Sequence, residues 1–230
     1  MAGLRVGVFV TGAVVNEIAT GKAINTAAFE PADALELVER LRSLPDAVLV
    51  FRERGATGCD YLITGDGTLP GNTKWWLDHT HAKIDHRVEI TCDDLTHTLR
   101  VAMVSYNPQL NELFTQIADE FASRITGHCF GGIVQKDHHE QVRILELFPP
   151  HVNKWRGLQW VARQHDIDDD QIAVIGDEVN DLPMLAGAGC GIAMANAIDQ
   201  AREQADYITT TNDEHGVARA IDHLLQGRWG

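Results

Sequence analysis

Ile172-Ala173-Val174-Ile175-Gly176-Asp177-Glu178-Val179-Asn180-Asp181 decides the reading of this chain: a short apolar run ends in a glycine, and two carboxylates follow at spacing i, i+4. A continuous apolar run is the pattern of a strand buried on both faces of a parallel sheet. Open α/β sheets bind ligands beyond the carboxyl ends of such strands, which is where Asp177 falls. A helical pattern with Leu182, Leu185 and Ala186 on one face begins near Val179, so Asn180 and Asp181 occupy its first turn. There the helix dipole favours negative charge. An acid at a helix start serves either as a cap or as a ligand. The apolar strand directly ahead of it is something a cap does not require, and it favours a metal site. Two carboxylates and a side-chain amide are hard oxygen donors, suited to Mg²⁺ rather than zinc.

Working outward, residues 143–230 alternate strand and helix. The periodicity predicts helix over 153–164, strand over 171–175, helix over 179–186, strand over 191–194, strand over 207–209 and a last helix over 214–225. That rhythm belongs to a parallel, doubly wound sheet. The earlier part reads differently. Residues 6–10 and 14–18 flank Thr11-Gly12-Ala13 as two strands around a turn, with 23–28 as a third. Pro31 opens a helix ending near Ser43 with Ala34, Leu35, Val38 and Leu41 on one face, and 47–51 and 61–64 read as strands. A short helix is expected over 72–79, a strand over 98–104, and a strand over 142–147. Between the last two lies a helix over 108–123, with Leu110, Leu113, Phe114, Ile117, Ala118 and Phe121 turned inward. The chain is therefore expected to be α/β, with divisions near residues 29 and 143.

The chain has 230 residues, with 19 Lys and Arg against 33 Asp and Glu, a formal net charge of -14. This charge disfavours non-specific association with nucleic acid or anionic membranes and points to a small-molecule partner. An anionic substrate would be repelled by the same field, so its site needs local positive charge or a bound cation. Cys59, Cys92, Cys129 and Cys190 are scattered without a C-x-x-C spacing, and nothing resembles a secretory signal, so a reducing cytoplasm is expected. The opening apolar run is too short to span a bilayer and is broken by Arg5 and Gly7.

Three landmarks now stand in order: Lys154-Trp155-Arg156-Gly157-Leu158, then GDEVNDLPMLAGAGCGIAMANA over 176–197, then Ala205-Asp206-Tyr207-Ile208 with Asn212-Asp213-Glu214-His215-Gly216-Val217-Ala218. With these segments the C-terminal third resembles the haloacid dehalogenase superfamily, in its Cof-type sugar-phosphate phosphatase branch. A weaker match runs through the middle of the chain. The resemblance implies a Rossmann-like core interrupted by an inserted α+β cap. On that basis residues 1–29 are a residual core strand and link, 30–142 the cap and 143–230 the C-terminal part of the core. It also implies that Asp177 coordinates Mg²⁺, that Asp181 binds the metal directly or through water, and that Asn180 contacts the phosphoryl group. Lys154 would neutralise the transferring phosphate, supplying the positive charge this acidic protein needs. By residue type alone Lys154 would be an ordinary solvated helix residue.

The chain departs from the family at its start. Members open with an apolar strand ending in Asp-x-Asp-Gly-Thr, whose first Asp attacks phosphorus and whose second acts as acid and base. Here the strand over residues 6–11 instead resembles the family's third core strand, as though the chain began one strand-helix-strand-helix unit late. A truncated, inactive phosphohydrolase is the expectation. The absent neighbour would leave the 172–175 strand with an open edge prone to self-association. Leu62-Ile63-Thr64-Gly65-Asp66-Gly67-Thr68-Leu69 superficially resembles the nucleophile motif, but it lies in the cap-like region with a threonine in the attacking place, and reads as a turn. Asp78, His79, His81 and His86, and the pair His138-His139, lack the spacing of a metal cluster and read as solvated surface. Trp75 and Trp76 are weak candidates for substrate contact, set against packing. The readings that remain are a Mg²⁺-dependent phosphatase of small phosphorylated metabolites, a non-catalytic metal and sugar-phosphate binder, and a phosphotransferase or mutase on the same residues.

Overall fold

A computed structural model describes residues 5–65, 67–132 and 142–229. The chain divides into two compact units, Met1–Val152 and Asn153–Gly230. It is a mixed α/β protein, as the periodicity predicts.

In the first unit, β1 (Val6–Phe9), β2 (Val14–Glu17) and β3 (Ala23–Thr26) form an antiparallel three-stranded sheet in that order. The turn between β1 and β2 is strained. Val10 and Thr11 take φ of 50° and 53°, where a β-branched side chain crowds its own backbone, ahead of Gly12 at 98°. α1 (Pro31–Arg42) follows, begun by a proline whose fixed φ suits a first helical turn. Then come β4 (Val48–Arg52), the single turn α2 (Arg54–Thr57), β5 (Tyr61–Thr64), α3 (Gly71–His79), β6 (Ile84–His86) and β7 (Thr98–Ser105). α4 (Leu110–Phe121), β8 (Thr126–Gly131) and β9 (Arg143–Phe148) complete the unit.

The strands from β4 to β9 build one six-stranded sheet in the order β6-β5-β4-β7-β9-β8, antiparallel except where β5 meets β6. Strand alternation gives the sheet two faces. Val48, Val50, Leu62, Val101, Met103, Leu145 and Leu147 pack under the apolar stripes of α1 and α4, whose Leu37, Val38, Leu41, Ile117 and Phe121 are nearly all fully buried. The opposite face carries Ala47, Leu49, Tyr61, Ile63, Ala102 and Val104, with Leu77 of α3 set against them. The spacing places a division near residue 143, but β9 pairs along its whole length with β7 and β8, and the compact units part after Val152. Alternating apolar residues make β9 look like any buried strand, and its sequence carries no mark of which sheet it joins. β6 and β8 are too short or too polar to show strand alternation and are seen only in the structure.

In the second unit, α5 (Lys154–Arg163), β10 (Ala173–Gly176), α6 (Leu182–Gly187), β11 (Cys190–Ala193), α7 (Asp199–Gln204), β12 (Tyr207–Ile208) and α8 (Gly216–Leu225) alternate. The three strands form a parallel sheet in the order β10-β11-β12. Trp155, Val174, Met184, Leu185 and Ala201 make the core around it. Among the described strands β10 has one partner, β11, so its other side is open. The helix expected from Val179 begins later. Residues Val179–Asp181 form a 3-10 turn and α6 starts at Leu182, with Pro183 in its first turn.

Candidate phosphate and metal site

The site is built where β10 ends. Gly176 closes the strand, and no other residue fits there: a Cβ would come within 2.5 Å of the Asp181 Cβ. That close approach lets the Asp181 carboxylate fold back over the turn. Its Oδ2 accepts hydrogen bonds from the backbone N–H of Asp177 at 2.9 Å and of Glu178 at 3.1 Å. Its Oδ1 accepts from Lys154 Nζ at 2.5 Å. Asp181 is 3% exposed, so these contacts answer a buried charge.

Lys154 comes from α5, where it is the first helical residue after the cap Asn153, whose side chain accepts from the Arg156 N–H at 2.9 Å. A cation in the first turn opposes the helix dipole. Here the ammonium is held by two acceptors on the β10 side, Asp181 Oδ1 and, at 3.1 Å, Asn180 Oδ1. Three of the four residues singled out in the sequence are thus joined directly.

The fourth, Asp177, stands apart chemically. Its backbone is fixed at both ends, by the N–H bond to Asp181 and by a carbonyl accepting from Ile198 N–H at 3.0 Å. Its carboxylate is exposed and has no hydrogen-bond or ion-pair partner among the described residues. Partial burial raises its pKa above the ordinary carboxylate value, and the Asp181 and Glu178 charges raise it further, while Lys154 pulls it down. A carboxylate destabilised by neighbouring negative charge is one that gains from a cation.

The donor set fits Mg²⁺. All the groups at hand are oxygen donors. Among the described residues no cluster of three or more His, Cys, Asp and Glu side chains is arranged to hold a metal. A zinc site asks for such a cluster, whereas Mg²⁺ is held through one or two carboxylates and keeps several waters. Asp177 is the available ligand. Asp181, with both oxygens engaged, serves first as the clamp of the turn.

Comparison with known proteins is consistent with this geometry. The family of haloacid dehalogenase-like hydrolases matches residues 4–221. The chain belongs to the haloacid dehalogenase-like hydrolases. Among its relatives is a 5-amino-6-(5-phospho-D-ribitylamino)uracil phosphatase, YwtE, of Bacillus subtilis, 40% identical over 99 residues, which is 40% of this chain and 35% of that protein. Another is the phosphatase YwpJ of the same organism, 44% identical over 80 residues, 35% of this chain and 28% of that protein. These alignments span about a third of the curated relatives they match. A haloacid dehalogenase-like hydrolase from B. subtilis superposes with a TM-score of 0.73 at 20% identity, over 95% of this chain and 79% of that one. A subclass IIB sugar phosphatase superposes with a TM-score of 0.69 at 16% identity, over 96% and 76%. At these identities the likeness is one of fold.

Other candidates fall elsewhere. Trp75 and Trp76 lie on α3 in the first unit, 54% and 46% exposed, the former stacked on His79 at 4.0 Å and the latter edge-on to Tyr61 at 6.2 Å. In the decoy motif Thr64 is a buried strand end, 2% exposed, and Gly65 turns at a φ of +92°, while Asp66 lies outside the described residues. His138 and His139 also lie outside them. The four cysteines are free thiols, and no helix is long and apolar enough to cross a membrane.

One polar group was missed in the sequence. On the sheet face opposite α1 and α4, Glu146 of β9 pairs with Arg100 of β7 and with His128 Nε2 of β8 at 3.0 Å. Arg100 also donates to the Tyr61 hydroxyl at 2.9 Å and lies over the Phe51 ring. A lone charge at the inward place of an apolar strand, as in Arg143-Ile144-Leu145-Glu146-Leu147, is the signal that marks it.

Proposed function

We propose that the chain carries the metal- and phosphate-holding part of a Mg²⁺-dependent phosphohydrolase of small phosphorylated metabolites such as sugar phosphates, working in the cytoplasm. The observation that supports this is the unanswered Asp177 carboxylate, held rigidly one turn from the Lys154 ammonium. In this reading Asp177 holds the cation, with Asp181 behind it. Lys154 binds a phosphoryl oxygen, and Asn180 orients both the ammonium and the phosphate. Bound Mg²⁺ would supply charge neutralisation at the phosphoryl group. Lys154 adds a fixed positive charge in a protein whose overall field repels anions. The Asp181 clamp keeps the backbone of Asp177 and Glu178 from shifting as charge develops.

No Asp-x-Asp-Gly-Thr occurs within these 230 residues, so hydrolysis needs an attacking carboxylate from outside them, and these residues alone are expected to be inactive. We take the sheet-and-helix region within residues 30–142 as the cap that selects the substrate, with Trp75 and Trp76 as candidate contacts. The open side of β10 is where a further strand, or a second copy of the chain, would add.

The test is phosphate release from a panel of sugar phosphates with Mg²⁺, by the 230-residue chain and by a form extended at its N-terminus with an apolar strand ending in Asp-x-Asp-Gly-Thr. Release by the extended form alone supports the reading. If the extended form binds Mg²⁺ and sugar phosphate without turnover, the non-catalytic binding reading replaces it.

A further inference from the structure

Within the first unit the sheet face beside α3 encloses a cavity of about 600 Å³, inside the range of small-molecule sites. Its floor is apolar, made by Ala47, Ile63, Leu69, Leu77 and Ile84. Its rim carries Lys74, Asp78, His86 and Arg87.

The walls are preformed. Gly65 turns the chain at a φ of +92°, a conformation that suits glycine. Gly67 lies so close to the 45–47 backbone that a Cβ would come within 2.2 Å of the Asp46 carbonyl carbon. A bridge between Asp46 and Thr68 and the pairing of Ile63 with His86 tie this wall into the sheet.

The rim charges are not equivalent. Arg87 is committed to Asp85 at 2.9 Å and to Asp94 at 2.5 Å. Lys74 and Asp78 stand at i, i+4 on α3, a spacing at which ion pairs form readily, yet neither has an ion-pair partner among the described residues. An apolar floor flanked by an uncommitted ammonium and an uncommitted carboxylate is complementary to a small molecule that carries an acid, an amine and an apolar body.

We propose that this cavity binds a small apolar α-amino acid, its carboxylate toward Lys74, its ammonium toward Asp78 and its side chain on the Ile63, Leu77 and Ile84 floor. The site contains none of Lys154, Asp177, Asn180 and Asp181, and goes beyond the phosphohydrolase reading.

Calorimetric titration of the chain with L-leucine and L-phenylalanine tests it, with isocaproate and isoamylamine as analogues that each keep one charge. Saturable binding is expected for at least one amino acid. Losing one charge-assisted contact, through either analogue or through Lys74→Gln or Asp78→Asn, is expected to weaken it by about tenfold. Both side chains are exposed, so these variants should fold, and Asp177→Asn should bind as the parent does. No saturable binding, equal binding of the one-charge analogues, or binding indifferent to Lys74→Gln and Asp78→Asn overturns the proposal.

Discussion

Two buried carboxylates, one in each unit, are handled in opposite ways. Glu146, 7% exposed in the six-stranded sheet, lies between Arg100 and His128, and Arg100 is further engaged by Tyr61 and Phe51. The Arg100 and His128 contacts outweigh burial and hold the Glu146 pKa below its ordinary value. Asp181, 3% exposed, is equally well satisfied, but its neighbour Asp177 is left over, with its pKa raised. Ionised groups that answer one another are structure. A charge left without an answer beside such a pair, on a backbone that cannot move away, is where a cation belongs.

The comparison can be broken first at Asp181. Asp181→Ala removes the partner of Lys154 and two backbone acceptors at once, and should lower the stability of the second unit by about 3 kcal/mol in urea unfolding followed by circular dichroism. A change near zero would mean that the clamp does not hold the turn. In the sheet, Glu146→Gln leaves the Arg100 charge uncompensated and should cost about 2 kcal/mol.

The pH dependence separates the two carboxylates further. Glu146 is lowered from 4.5, so its contribution is complete above that unfolded value and is lost as pH falls through the lower folded one. Acidification below that point should therefore destabilise the parent more than Glu146→Gln. Asp177 is raised from 3.8, so its ionisation opposes folding at neutral pH and the penalty disappears on acidification. Asp177→Asn should melt at or above the parent temperature at neutral pH, and a lower melting point would place Asp177 among the structural acids.

The smallest effect lies in the first unit, at a residue carrying strain rather than charge. Thr11→Gly relieves a β-branched residue at a φ of 53° and should stabilise by about 1 kcal/mol in thermal melts.

Much of this was legible in the sequence, for identifiable reasons. β10 and the Gly176-Asp177 corner announce themselves because an apolar run closed by glycine and followed by acids four apart fits a buried strand opening onto a site. α1 and α4 follow from the periodicity of Leu37, Val38, Leu41, Ile117 and Phe121. The division after Val152 was not legible, since β9 alternates like any buried strand and its partners β7 and β8 are chosen by tertiary pairing. Nor was the late start of α6, which follows from the Asp181 carboxylate folding back over its own turn. The Arg100, Glu146 and His128 row was missed because each residue is an isolated polar letter, and only the register of β7, β9 and β8 brings them together.

The central claim is that Asp177 takes the cation while Asp181 and Lys154 hold the turn. It is tested most directly by the thermal stability of the parent chain and of Asp177→Asn with and without Mg²⁺, since a ligand that binds only the folded state raises its melting temperature. The parent should gain stability with increasing Mg²⁺, and Asp177→Asn should show no gain while melting no lower than the parent without metal. A Mg²⁺ response that survives in Asp177→Asn would contradict the account.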